Sequence, residues 1–195
     1  MTNLWDSPAP ADWRETLTRY EDVVARQGVA GLVELDAWYR DALPGAIRAR
    51  RPAHVTFPEL VRLTEWKMGR GVWRARNLAL VRGNAPEAVV ETSASALAKI
   101  PHPTAPIATL AALDGVGPAT ASAVAAATAP QLYPFFDELV AAQVPGLGKL
   151  AWTLGYYARY AAALRERAAR LGEGWTPVML ERALWASVGG KADAR

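Results

Sequence analysis

A chain of 195 residues is long enough for one substantial core or for two small domains that share one. It has no cysteine and two histidines, which excludes disulfides, thiol catalysis, cysteine-ligated zinc and iron–sulfur clusters, and argues against an imidazole-rich metal site. With 51% hydrophobic residues, eight tryptophans and a formal charge of +3, core material is plentiful, and where the charge sits matters more than its sum.

The N-terminal "MTNLWDSPAPADW" has no apolar run of the kind a signal peptide needs. The longest apolar stretch, "ATASAVAAATAP", is too short to span a bilayer, so a cytoplasmic protein without membrane contact is expected. "SPAPADWRETLTRYEDVVARQG" reads as helix, with Trp13, Leu17, Tyr20 and Val24 on one stripe and Gly28 closing it. "GLVELDAWYRDALPGAIRARR" carries a second stripe through Leu32, Leu35, Trp38 and Tyr39, with a break expected at Pro44. Residues 1–52 therefore read as an N-terminal helical pair packed on the remainder, 53–195.

Pro52 leads into "TFPELVRLTEWKMGRG", a helix capped by Thr56, with Leu60, Leu63 and Met68 along one side. "VWRARNLALVRGN" gives the next helix and ends at Gly83-Asn84. "APEAVVETSASALAKI" follows, then the proline loop "PHPTAP", where His102 reads as a loop residue. A short helix over 107–113 and an alanine-rich one from Gly117 to about Ala129 come next. Beyond Asp137 lie "ELVAAQV", a Pro-Gly break, the amphipathic "AWTLGYYARYAAALRERAARLG" and a last helix opened by Thr176-Pro177. "PAHVTF" is the best strand pattern and is too short to build a sheet. The expected fold is an all-α, multi-helix globular unit of roughly eight to ten helices, given usual helix lengths.

Two features carry chemistry. The first is "LAALDGVGPATASAV", two short helices joined by a turn with Gly115 and Gly117. Glycine allows positive φ and close backbone approach, and the first amides of the second helix have no intrahelical partner, so the turn suits one backbone phosphate. Leu110, Leu113 and Val116 would hold the turn against Ala121 and Val124. The second is "EWKMGRGVWRARNLALVRGN", where Lys67, Arg70, Arg74, Arg76 and Arg82 occur among Trp66 and Trp73 without an acid between Glu65 and Glu87. A one-sign run interleaved with aromatics is what a nucleic-acid surface with stacking needs, although a solvated helix face with two core tryptophans has the same pattern.

The hairpin, the loop "LYPFFDELV" and Asp137 together resemble the helix-hairpin-helix DNA glycosylase superfamily, in which a Gly/Pro-rich loop leads to a catalytic aspartate. The specific likeness covers residues 110–140, with Asp137 twenty residues after Gly117, and a looser one reaches back to about residue 56. It implies duplex DNA as partner, a flipped base, and Asp137 stabilising an oxocarbenium-like sugar as its N-glycosidic bond is hydrolysed. It further implies phosphate contacts from Gly115, Val116, Gly117, Ala119, Thr120, Lys67, Arg70, Arg74 and Arg76, and a base pocket or wedge from Trp66, Trp73, Phe135 and Phe136. Bifunctional members carry a Schiff-base lysine two residues after the second hairpin glycine; Ala119 stands there, which implies a monofunctional enzyme with no lyase activity by that route. No cofactor or catalytic metal is implied; a structural monovalent cation at the hairpin is compatible with the motif.

The same residues allow a different reading, in which the hairpin binds DNA without cutting it and Asp137 only caps the following helix. Glu65 is open between a pocket acid and a salt-bridge partner, and "VPGLGK" with Lys149 between a plain turn and a second phosphate loop, the turn being the simpler. "RERAAR" over 165–170 reads as the solvated face of its helix.

Overall fold

Proline in the first turn starts one helix after another: Pro10, Pro58, Pro86, Pro106, Pro118 and Pro177 all stand there. At that position the missing N–H removes no helical bond, and φ is already set. In the computed structural model, which describes residues 3–193, the described elements are helical throughout, with no strand among them. A 3-10 turn over Leu4–Asp6 precedes α1 (Pro10–Thr18), α2 (Tyr20–Arg26), α3 (Leu32–Ala37), α4 (Leu43–Ala49), α5 (Phe57–Arg70), α6 (Ala75–Arg82) and α7 (Pro86–Leu97). The rest are α8 (Ala105–Leu110), α9 (Pro118–Thr128), α10 (Glu138–Ala141), α11 (Leu154–Leu171), α12 (Pro177–Ser187) and α13 (Gly190–Asp193).

Pro44 does not end its helix. The chain passes from α3 to α4 through a π-helical turn at Trp38–Ala42, because Pro44 has no N–H to return to the preceding turn and the bonding register opens instead. The N-terminal region is likewise more than a helical pair: α1 lies on α12, α3 on α5 and α4 on α9. Trp13, Leu32, Tyr39, Leu43 and Ile47 belong to the same buried cluster as the aromatic residues of α11 and α12.

The middle of the molecule is α9. From Thr120 to Ala127 every residue is buried, as expected of a helix that is small and apolar all round. Its alanines allow α4, α5 and α8 to approach closely. Tyr39 adds a hydroxyl donated to the Ala123 carbonyl at 2.9 Å. At the other end of the sequence, α12 packs against α1, α2, α10 and α11. Among the described residues no helix is long and apolar enough to cross a membrane.

Candidate functional site

The C-terminal end of α5 carries Lys67 and Arg70, and after Gly71 the chain runs through Val72 and Trp73 to Arg74, the N-cap of α6. Lys67, Gly71, Val72, Arg74 and Asn77 form one wall of an open cleft of about 340 Å³. The facing wall is the α8–α9 turn and the first turn of α9, with Gly117, Pro118, Ala119 and Thr120. Phe135, Phe136, Asp137 and Glu138 supply the third side, and Trp152 completes the lining.

The two glycines of the α8–α9 turn serve different purposes. Gly115 has φ +73°, and a Cβ there would lie 2.6 Å from the Asn77 carbonyl oxygen and 2.8 Å from the Val81 nitrogen. It is the point at which the α8–α9 turn is pressed onto α6. Asn84 completes that junction: its side-chain amide donates to the Asp114 carbonyl and accepts from the Asp114 N–H, both at 2.9 Å. Gly117 has extended backbone and open space where a Cβ would be, on the cleft side. The Val116 N–H is used internally, donating to Leu113, and its side chain is buried. The Gly117, Ala119 and Thr120 amides have no backbone acceptor among the described residues. The buried Thr120 hydroxyl is also without a partner.

The loop that delivers Asp137 is buried, so its backbone must be satisfied from within. Tyr157 donates to the Pro134 carbonyl, Tyr160 to the Phe135 carbonyl at 2.7 Å, and the Phe136 N–H donates to Ser122 Oγ at 2.9 Å. Phe136 packs among Trp152, Tyr156, Tyr157 and Tyr160. Asp137 is thus fixed by α9 on one side and α11 on the other. It is also the N-cap of α10: Oδ1 accepts from the Leu139 N–H at 2.8 Å and the Val140 N–H at 3.4 Å. Oδ2 faces Arg70 Nη2 at 4.0 Å. Cap and cleft wall are the same residue.

Burial raises the Asp137 pKa above the ordinary carboxylate value, partly offset by Arg70 and by the two capping amides. Glu181, on α12, takes a 2.6 Å bond from the same Arg70 nitrogen, and burial pushes its pKa up to about 7 despite that cation. Burial works against the Arg70 charge, but Glu181, Tyr20 and Asp137 more than restore it. Its guanidinium also lies among the Tyr20, Trp66, Phe135 and Trp185 rings, between 4.4 and 5.6 Å from their centroids. Lys67 is lowered to about 8 by burial and by neighbouring Arg74.

Three sequence expectations are corrected by this arrangement. Arg70 is 1% exposed and ion-paired inside the protein, so it contacts Asp137 and Glu181 rather than a phosphate. Trp66 is fully buried, stacked on Tyr39 with centroids 3.6 Å apart, and donates to Asp36 Oδ1 at 2.9 Å; it forms neither pocket wall nor wedge. Val116, with both amide and side chain engaged, contributes no outward donor. Two arginines of the basic run also have acid partners: Arg70 pairs with Glu181, far away in sequence, and Arg82 with Glu65, at 2.7 Å. Glu65 is therefore a salt-bridge partner and lies on a separate groove with Phe57 and Val61.

Lys67, Arg74, Gly117, Ala119, Thr120, Phe135, Phe136 and Asp137 do meet in the cleft. Arg76 is exposed at the start of α6 and Trp73 is 57% exposed beside the cleft residue Val72, neither lining the cleft itself. Trp152, 43% exposed on the cleft, was not picked out from the sequence. Its only signal was an aromatic after the glycine turn at 146–148, where both glycines have positive φ and no neighbour at the Cβ position. Glu181, Asn84, Tyr157 and Tyr160 were also missed. His102 caps α8, its Nδ1 accepting from Ala105 at 3.0 Å. Arg165 and Arg167 tie α11 to carbonyls of Leu132 and Trp5, so "RERAAR" is not simply a solvated face.

No protein family profile, curated protein or solved structure matches the chain. The functional reading therefore rests on the cleft.

Proposed function

We propose that the protein is a monofunctional DNA glycosylase-like enzyme that binds duplex DNA and hydrolyses the N-glycosidic bond of a damaged or modified base. The observation that carries this reading is the meeting, in one cleft of about 340 Å³, of an unpaired helix N-terminus, two cationic side chains and a carboxylate. The Gly117, Ala119 and Thr120 amides and Arg74 suit a strand phosphate at the cleft edge, which sets the register of the sugar. The carboxylate then acts on the sugar: positive charge develops at C1′ as the base departs, and Asp137 stabilises it and orients the attacking water. Trp152 offers exposed apolar surface for an extruded base, backed by the buried Phe136, and Trp73 for the stack it leaves. Burial favours the neutral form of Asp137, and the Arg70 cation opposes that effect.

The Asp137 cap favours a second reading, a DNA-binding protein without catalysis, since both carboxylate oxygens already have partners within the protein. One experiment separates the two. Duplexes bearing single alkylated, deaminated or oxidised bases are incubated with the protein, and free base is measured by mass spectrometry. Release from at least one duplex is expected; none from the whole panel, with salt-sensitive duplex binding intact, leaves the binding protein.

A further inference from the structure

We propose that Glu181, on α12 and outside the cleft, is a positioning residue for Asp137: it competes for Arg70, the one cation that the two carboxylates share, and so sets how far the Asp137 charge is neutralised. This rests on the reading of Asp137 as the acting carboxylate. Arg70 Nη2 donates to Glu181 Oε1 at 2.6 Å and stands 4.0 Å from Asp137 Oδ2. Glu181 and Arg70 are each 1% exposed and Asp137 7%, so water screens none of the three well. They come from α5, the cap of α10 and α12, distant parts of the chain that meet at this nitrogen.

The bonding of Arg70 is not that of a saturated structural tie. Its Nε is also buried and has no acceptor among the described residues. A buried donor left open costs stability, so the guanidinium is placed for its charge rather than for its bonds. Around the three groups stand Arg182 on α12, Tyr20 on α2, Tyr160 on α11, and Glu138 beside Asp137. Burial pushes both tyrosine hydroxyls up, which keeps them neutral, and Glu138 is balanced by Lys191 at 2.6 Å. The charged side chains of α1 and α2 are exposed, and α9, on the other side of Asp137, has no titratable side chain. The local balance is therefore set by two carboxylates on one guanidinium.

Burial pushes Glu181 up to about 7, against the Arg70 cation and with the Asp137 charge. Below that pH Glu181 holds a proton, and Arg70 is the counter-ion of Asp137. Above it both acids are ionised, Arg70 belongs to the nearer carboxylate, and the trio carries one negative charge in sum. That charge faces the cleft at Asp137, where an oxocarbenium-like sugar draws on it. Base release should then rise as Glu181 ionises.

The experiment titrates the carboxyl carbons of the carbon-13-labelled full chain by NMR, as wild type and as Glu181→Gln. Glutamine keeps an oxygen for the Arg70 bond but carries no charge. In the wild type the Asp137 resonance should move a second time near pH 7, with Glu181, and in the variant that second step should be gone. Single-turnover base release from the duplex panel should rise about tenfold between about pH 6 and about pH 8 in the wild type, the effect of about one pKa unit of interaction, and stay flat in the variant. Lys67, lowered to about 8, titrates alike in both proteins and cancels in their ratio. A wild-type Asp137 resonance without the second step overturns the proposal and needs no variant, and so do parallel pH–rate profiles of the two proteins. A second step without base release from any duplex overturns the glycosylase reading and leaves the coupling of the two carboxylates standing.

Discussion

Arg70 Nη2 donates to Glu181 at 2.6 Å and stands 4.0 Å from Asp137 Oδ2, so one buried nitrogen links the cleft carboxylate to α12. Removing that cation would strand two carboxylates among the Trp66, Phe135 and Trp185 rings. Breaking a buried ion pair from one side costs about 3–5 kcal/mol, far more than an exposed pair is worth. Arg70→Met should lower stability by about that amount in urea denaturation. Adding Glu181→Gln should recover part of the loss, since one stranded charge is gone. Losses that simply add in the double variant would show that Arg70 and Glu181 are not coupled.

Asp137→Asn tests chemistry apart from folding. Asparagine caps a helix about as well as aspartate, and the substitution also removes a buried charge, so stability should change by less than about 1 kcal/mol. Asp137→Ala, which loses the cap, should cost about 1 kcal/mol more. Duplex affinity should be kept in the Asn variant, while base release falls by about 10²–10⁴, the usual worth of a positioned acid–base group. Equal base release by the Asn variant and the wild type would leave Asp137 as a cap alone.

Glu181 gives a pH signature. Its pKa is raised from 4.5 to about 7 on folding, so the native state holds this proton more tightly than the unfolded chain. Stability is then fully present below the unfolded value and declines as pH rises from about 4.5 to about 7. Asp137, also raised, acts in the same direction, and Glu59, lowered by Arg50 and Thr56 against the effect of burial, has its effect at lower pH. The wild-type Tm should fall between pH 5 and 7, and Glu181→Gln should flatten that fall. Parallel curves for the two proteins would remove Glu181 as the cause.

How far the sequence reached follows from the range over which its signals act. Helix starts are local, and prolines, Thr56 and the spacing of apolar residues made them legible. The turn between α8 and α9 and the loop to Asp137 were legible because their spacing is local too. Pairing is not: the acid for Arg70 lies 111 residues away, and nothing near "KMGRG" announces it. The Tyr157 and Tyr160 hydroxyls that hold the Pro134 and Phe135 carbonyls look like ordinary stripe residues of an amphipathic helix. Trp66 and Trp73 are indistinguishable in sequence, yet one is fully buried and the other 57% exposed, because α5 ends between them.

The two glycines of the α8–α9 turn provide the last test, since nothing in the local sequence distinguishes them. Gly115 combines positive φ with a Cβ position 2.6 Å from backbone, and neither Asn77 nor Val81 can yield without moving α6. Gly115→Ala should therefore destabilise the fold by about 2–4 kcal/mol, combining left-handed strain with overpacking. Gly117 has extended φ and ψ that any residue adopts, and an added methyl there meets open space. Gly117→Ala should leave stability within about 0.5 kcal/mol. If the amides around it lie against a phosphate, the methyl intrudes on that approach, and duplex affinity should fall by about tenfold, or about 1.4 kcal/mol. Titrations with a fluorescent duplex, beside urea denaturation of both variants, read the two effects separately. A Gly117→Ala protein that folds and binds like the wild type would place the phosphate contact elsewhere on the cleft rim, with Arg74 the first residue to examine.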